Sequence, residues 1–166
     1  MTNNVILREA QEKDLPEILE ILNYNILHTT VIYNYNTKSI VEMQDWFLEK
    51  QNLKFPILVA ELDNKVVGYG TFGQFRPHEA YRYCIEHSVY VAHQMQGNGI
   101  GKKLILELIA LAKQNKYHNM VAGVDAENKF SIQFHKKLGF QEVGYLKEVG
   151  YKFDRWLDLV FLQLKL

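Results

Sequence analysis

Apolar and polar positions along the chain switch between a period near two and a period near 3.6, and each switch marks a new element. Val5 to Ala10 reads as a short strand. Leu15, Ile18, Leu19, Leu22 and Ile26 then recur at helical spacing and predict a helix with one buried face. Asp14, with Glu17 three residues on, predicts its N-cap and capping box. Ser39 and Glu42 repeat that signature ahead of Ile40, Met43 and Phe47, the expected core face of a second helix. Ile57 to Glu61 and Val66 to Phe72 read as strands of a hairpin turning at Asp63-Asn64-Lys65. Gly68, Gly70 and Gly73 crowd the second strand and predict bulges or close backbone approach. Tyr83 to Val91 is a further strand, and Gln96-Gly97-Asn98-Gly99-Ile100-Gly101 opens the most strongly patterned helix. Its stripe is Leu104, Ile105, Leu108, Leu111 and Ala112. Met120 to Val124 is a buried strand. Asn128 caps a helix that closes on Lys136-Lys137-Leu138-Gly139, with basic residues in the last turn and Gly at the C-cap. Two strands follow, around Glu142 to Tyr151 and Leu157 to Leu164. The alternation predicts an α/β fold. With only Pro16, Pro56 and Pro77, no low-complexity linker and no repeat, residues 1–166 read as one domain.

Composition narrows the function classes. Apolar residues make up 48% and charged residues 23%, enough for a real core. Nineteen Lys and Arg balance nineteen Asp and Glu, which argues against nucleic-acid binding through bulk charge. The 10 Tyr and 9 Phe do not reverse that without a basic excess. Cys84 is the lone cysteine, so no intrachain disulfide and no Cys-rich zinc site is expected, and it reads as a small packed thiol. His28, His78, His93 and His118 lack metal-ligand spacing, so no metal is expected. Trp46 and Trp156 read as core or interface anchors. No apolar run has membrane-spanning length and no signal peptide opens the chain. A cytoplasmic protein with no membrane partner is the expectation.

Three glycines in five residues between a strand and a helix are costly in chain entropy and point to a ligand held by backbone N–H groups. The helix end and Lys102 favour an anion such as a phosphate or pyrophosphate. The P-loop pattern fails, because Gly97 is too close to Gly101-Lys102 and Lys103 replaces the hydroxyl residue. The dinucleotide fingerprint fails too, because the spacing is G-x-G-x-G. A plain helix-start turn is the bland alternative.

Gln96-Gly97-Asn98-Gly99-Ile100-Gly101 resembles the acetyl-CoA pyrophosphate loop of the GNAT acetyltransferases. Asn128, Ser131, His135 and Gly139-Phe140 resemble the next motif of that superfamily, in the expected order. Glu86-His87-Ser88-Val89-Tyr90-Val91, Met120-Val121-Ala122-Gly123 and the segment from Val149 to Leu159 are similar to its phosphinothricin and methionine sulfoximine N-acetyltransferase branch. The resemblance spans nearly the whole chain. It implies a GNAT fold, a mixed, mostly antiparallel twisted sheet with helices on both faces. It implies acetyl-CoA as cosubstrate, a small amino-acid-like amine as acceptor, and a homodimer, for which the apolar C-terminal strands are candidates.

Acetyl transfer to an amine needs a proton acceptor, an oxyanion donor and alignment of two substrates. Glu86, in an otherwise apolar strand, is the candidate base, since burial would raise its pKa; a solvent-facing or Arg-paired strand carboxylate is the alternative. By resemblance, the backbones of Val89, Tyr90 and Val91 meet the acetyl and pantetheine part. Gln96, Gly97, Asn98, Gly99, Ile100, Gly101 and Lys102 meet the pyrophosphate, and Asn128 and Ser131 meet the CoA arm. His135 stands where the superfamily usually has Tyr, and is either the acid for the thiolate or an ordering residue. Arg76 or Arg82 would fork an acceptor carboxylate, unless they are plain surface charge. The resemblance adds Glu79, Ala80, Tyr81, His87 and Ser88 to the acceptor site, although His78-Glu79-Ala80 departs from the branch. The rival readings are an acetyltransferase of peptide or protein N-termini, a non-catalytic acyl-CoA sensor, and a cofactor-free interaction module.

Overall fold

The computed structural model describes residues 4–166. Its strands are β1 (Ile6–Glu9), β2 (Ile57–Leu62), β3 (Lys65–Gln74), β4 (Cys84–Val91), β5 (Asn119–Asp125), β6 (Gln141–Lys152) and β7 (Arg155–Lys165). Its helices are α1 (Leu15–His28), α2 (Ile40–Asn52), α3 (Ile100–Gln114) and α4 (Lys129–Lys137). The strands form one sheet in the order β1-β2-β3-β4-β5-β7-β6. Every neighbouring pair is antiparallel except β4 and β5. Leu15, Ile18, Met43 and Phe47 of α1 and α2 pack on Ile57, Val59 and Tyr69 on one face. Leu104, Ile105, Leu108 and Ile132 of α3 and α4 pack on Phe72, Ile85, Met120 and Leu162 on the other. This is the mixed sheet with helices on both faces that the resemblance implies.

Local chemistry explains most boundaries. Asp63 and Asn64 both have positive φ (50° and 61°), the left-handed pair that a two-residue hairpin turn needs. Ser39 and Glu42 form the expected reciprocal box, although Ile40 is exposed and only Met43 and Phe47 are buried. The box expected at Asp14 is displaced. Asp14 has helical backbone and makes no cap to α1. Its carboxylate instead accepts the Gln11 N–H at 2.7 Å and a fork from Arg8 at 2.7 and 2.8 Å. Glu17 accepts the Val66 N–H at 2.8 Å. A buried carboxylate needs a cation more than a helix end needs a cap. Arg8 meets that need and holds the Asp14 carboxyl below the usual range.

The glycines of β3 answer to close approach. A Cβ at Gly68 would stand 3.1 Å from the Tyr90 carbonyl and 3.2 Å from Ile100 Cγ2. One at Gly70 would stand 3.0 Å from Leu108 Cδ1. Their absence lets α3 settle directly on β3. The β3–β4 register runs unbroken from Gly68 to Gln74, and the bulge lies earlier, opposite Ala60 and Glu61.

Candidate active site

The site begins where two strands part. β4 pairs with β5 only through Cys84–Glu86 against Asn119–Val121, while it stays on β3 to Val91. Past Glu86 the β5-side edge of β4 has no strand partner, so backbone groups at His87–Val91 face a gap. Alternation then sorts the side chains. Tyr90 pairs with Tyr69, so Glu86, Ser88 and Tyr90 face α1 and α2. His87 pairs with Phe72, so Ile85, His87, Val89 and Val91 face α3 and α4.

On the α1/α2 side, beside the gap, lies a cavity of about 270 Å3. Val31, Tyr33, Phe75, Arg76, Glu86, Gly123, Asp125, Leu159 and Phe161 line it. Glu86 fits because residue 123 is glycine: a Cβ there would stand 3.2 Å from Glu86 Oε1. Burial pushes the Glu86 carboxyl above its ordinary range, and nearby Arg76 partly offsets that. The Arg76 guanidinium lies 4.9 Å from the Phe75 ring centroid, anchored yet exposed. Of the two candidate arginines, only Arg76 is on the cavity wall. Arg82 stacks on Tyr83, with 4.9 Å from its Cζ to the ring centroid. Glu79, Ala80 and Tyr81 form an exposed 3-10 turn outside the wall, with Tyr81 edge-on to Phe75.

Tyr33, Asp125, Leu159 and Phe161 were not among the residues expected from sequence. Asp125 carried a weak signal, a carboxylate closing a buried strand. Tyr33 carried none, because the end of β6, distant in sequence, holds it in place. Gly150 faces the Tyr33 ring so closely that a Cβ would stand 2.6 Å from it. Buried Lys152 donates to the carbonyls of Ile26, Thr29 and Ile32 at 2.6, 2.8 and 2.6 Å. The Tyr35 hydroxyl donates to the Tyr151 carbonyl.

Two of the candidate residues meet on the other face. His87 is buried away from the acceptor cavity, and its Nε2 is 3.1 Å from His135 Nε2. His135 Nδ1 lies 2.7 Å from the Ser131 carbonyl. A carbonyl only accepts, so this nitrogen carries the proton, and the neutral ring leaves Nε2 to accept from His87. Burial pushes both imidazoles below the usual range, His87 down to about 3 with help from His135. Neither ring lines the cavity that holds Glu86. They form a buried pair, packed edge-on against Phe140.

The glycine loop is an open cradle. Gly97 and Gly99 have φ of +80° and +76°, with nothing within 4 Å of an added Cβ. The Asn98 amide donates to the Met95 and Gln96 carbonyls at 3.1 and 3.3 Å and so holds the loop. Gly99 is the N-cap of α3 and makes no side-chain cap bond. The first bond into the helix runs from Lys103 N–H to the Gly99 carbonyl. The N–H groups of Ile100, Gly101 and Lys102 are thus turned out of a positive helix end. That donor set fits a pyrophosphate, with Lys102 exposed beside it. At the start of α4, Asn128 Oδ1 accepts the Ser131 N–H at 3.0 Å, leaving its amide donors free. Among the described residues no three His, Cys, Asp or Glu side chains group to hold a metal ion, and no helix is long and apolar enough to cross a membrane.

Known proteins resemble this chain in sequence and fold. The profile of the acetyltransferase (GNAT) domain matches residues 7–161. An L-methionine sulfoximine/L-methionine sulfone acetyltransferase of Salmonella typhimurium is 42% identical over 96% of this chain and 94% of its own. A phosphinothricin N-acetyltransferase of Alcaligenes faecalis is 35% identical over 95% of this chain and 80% of its own. The solved structure of yncA, a putative acetyltransferase from Salmonella typhimurium with its cofactor acetyl-CoA, superposes with a TM-score of 0.96. It is 42% identical, and the match covers 98% of this chain and 94% of that one. Sequence and fold together place it: the chain belongs to the GNAT family of acetyltransferases.

Proposed function

We propose that this acetyltransferase moves the acetyl group of acetyl-CoA to the α-amine of a free amino acid or analogue of the methionine sulfoximine, methionine sulfone or phosphinothricin kind. The observation that carries the reading is one cavity, beside the β4–β5 gap, that joins half-buried Glu86 to the Arg76 guanidinium. An α-amino acid presents an amine and a carboxylate on one carbon, and these two side chains match them. Arg76 forks the carboxylate. Glu86, directly or through one water, takes a proton from the ammonium, and its raised pKa makes it the stronger base. The freed nitrogen lone pair forms the bond to the thioester carbonyl carbon, the C–S bond breaks, and CoA leaves with the sulfur. Backbone groups of Val89, Tyr90 and Val91 are the candidates for the acetyl and pantetheine part, one N–H for the developing oxyanion. Gln96 to Lys102 would hold the pyrophosphate, and Asn128 and Ser131 the arm beyond it.

A cavity of about 270 Å3 suits one amino acid better than a peptide, since small-molecule sites start near about 300 Å3. The reading includes a homodimer through the outer strand. Val143, Tyr145, Leu146, Val149 and Tyr151 of β6 and Trp156 of β7 are all exposed, an unusual apolar load for an edge. Light scattering at micromolar concentration tests it, and a monomer refutes it.

The main test is release of CoA thiol from acetyl-CoA against a panel of free amino acids with methionine sulfoximine, methionine sulfone and phosphinothricin, with Glu86→Gln alongside. Turnover on these acceptors that falls by about 10²–10⁴ in the variant supports the class and the base. No turnover on any free amino acid, while acetyl-CoA still raises the melting temperature, refutes the reading in favour of peptide acetylation or acyl-CoA sensing.

A further inference from the structure

A second cavity of about 270 Å3 opens at the β1 edge of the sheet and shares no residue with the one that holds Glu86. It lies where the ends of α2 and α3, packed on opposite faces, meet the segment that leads into β2. Phe47, Phe55, Pro56, Ile57 and Leu111 give it an apolar floor. Its mouth is polar and exposed: Glu9 at the end of β1, Lys54 in the turn after α2, and the amides of Gln51 and Asn115. The turn at Lys54 is fixed. Its φ is left-handed at 58°, its N–H donates to the Gln51 carbonyl at 3.0 Å, and the Phe55 N–H donates to the Lys50 carbonyl at 2.9 Å. Glu9 and Lys54 form no ion pair, with each other or with any other described residue.

We infer that this cavity binds a free α-amino acid with an apolar side chain, its ammonium at Glu9, its carboxylate at Lys54 and its side chain on the apolar floor. Opposite charges left apart at one mouth complement a molecule that carries both. A lone cation would meet Lys54 and a lone anion would meet Glu9, each a like charge. A residue inside a peptide chain carries neither charge. The carboxyl ends of α2 and α3 add partial negative charge on the ammonium side. The Asn115 amide donates to the Leu111 carbonyl at 2.8 Å, which turns its oxygen towards a donor such as that ammonium. The bound molecule is a ligand and not an acceptor, since neither Glu86 nor the glycine cradle lines this cavity. It would brace β3 all the same. Phe55 packs edge-on to Phe72, centroids 6.1 Å apart, and Lys50 of α2 donates to the Phe72 carbonyl at 2.8 Å.

The test is amide NMR of the isotope-labelled chain titrated with L-leucine. Shifts at Ala10, Gln51 and Asn115 should saturate with a Kd of about 1 mM, the range of a small ligand. Leucine in the other cavity would be seen separately, at Gly123 and Asp125. The double variant Glu9→Gln/Lys54→Gln, changed only at exposed side chains, should bind about tenfold more weakly. Leucine amide, which lacks the carboxylate, and isocaproate, which lacks the amine, should each bind the wild type at least about threefold more weakly than leucine. Shifts confined to Gly123 and Asp125, no saturation by about 20 mM, or equal affinity for leucine, its amide and isocaproate would each overturn the inference. If the double variant does not fold, the analogue series on the wild type decides. None of these readouts needs acetyl transfer, so they stand whether or not the free amino acids prove to be acceptors.

Discussion

Replacing Lys152 by methionine isolates what holds the acceptor cavity's outer wall. The two side chains are similar in length and volume, so the change removes the ammonium and little else. Lys152 is 4% exposed, lies 5.1 Å from the Phe153 ring centroid, has no carboxylate partner among the described residues, and donates to the carbonyls of Ile26, Thr29 and Ile32. They tie the end of α1 and the following loop to the β6–β7 turn. Each hydrogen bond from a charged donor is worth about 1.5–3 kcal/mol. Burying the ammonium, whose pKa burial lowers, takes back several kcal/mol of their sum. A net loss of about 3 kcal/mol is expected. With a urea slope of about 2 kcal/mol per molar, the unfolding midpoint should drop by about 1.5 M. The same loop carries Val31 and Tyr33 to the cavity, so KM for the amino-acid acceptor should rise severalfold while KM for acetyl-CoA holds. A midpoint within about 0.25 M of wild type, below the resolution of most ΔΔG assignments, with unchanged acceptor KM would refute the argument.

Other consequences follow from the same geometry. On the proposed role of Glu86 as base, its ionised form acts and burial raises its pKa, so kcat/KM for the acceptor should fall on acidification from above the ordinary carboxylate range; a rate limb at an unshifted carboxylate pKa would contradict that role. His87 is held neutral when folded but binds a proton below about pH 6.5 when unfolded, so stability should drop as pH falls from there towards 3, by about 1.4 kcal/mol per unit. Proton NMR of the ring checks this, and titration of His87 near 6.5 would refute the pairing. Arg8→Met strands the buried Asp14 carboxylate and should cost about 3 kcal/mol in urea unfolding, partly restored by adding Asp14→Asn. Gly99→Ala forces a left-handed φ on a residue with a Cβ, at about 1–2 kcal/mol, with no clash. KM for acetyl-CoA should rise, and an unchanged value would remove the cradle from the cofactor site.

How much was legible depended on whether the cause was local. The helix of α3 and its glycine loop were written in adjacent residues: an apolar stripe on one side, and glycines where backbone must turn left-handed at Gly97 and Gly99. The Ser39–Glu42 box and the Asp63-Asn64 turn were local in the same way, and so each stood where the sequence put it. Asp14 looked identical to Ser39 in pattern, yet it left its cap for Arg8, a partner set by how β1 and α1 meet. The candidate site divides along the same line. Glu86 was legible because a carboxylate in an apolar strand is conspicuous. His87 and Ser88, one residue apart, look alike in sequence and fall on opposite faces, because the pleat gives neighbouring side chains opposite directions.

Tertiary structure alone decided the cavity beside the β4–β5 gap. Tyr33, Arg76, Glu86, Asp125 and Phe161 come from five separate segments, and no spacing within any of them announces the others. Only the parting of β4 from β5 after Glu86 opens the gap. The Lys152 contacts and the Tyr35–Tyr151 bond, across more than a hundred residues, bring the loop after α1 to its edge. By itself the sequence determined the periods, the turns and the anion cradle, since those follow from backbone dihedrals and neighbouring side chains. That Arg76 rather than Arg82 lines the cavity, and that His135 meets His87, waited on which distant segments the fold brings together.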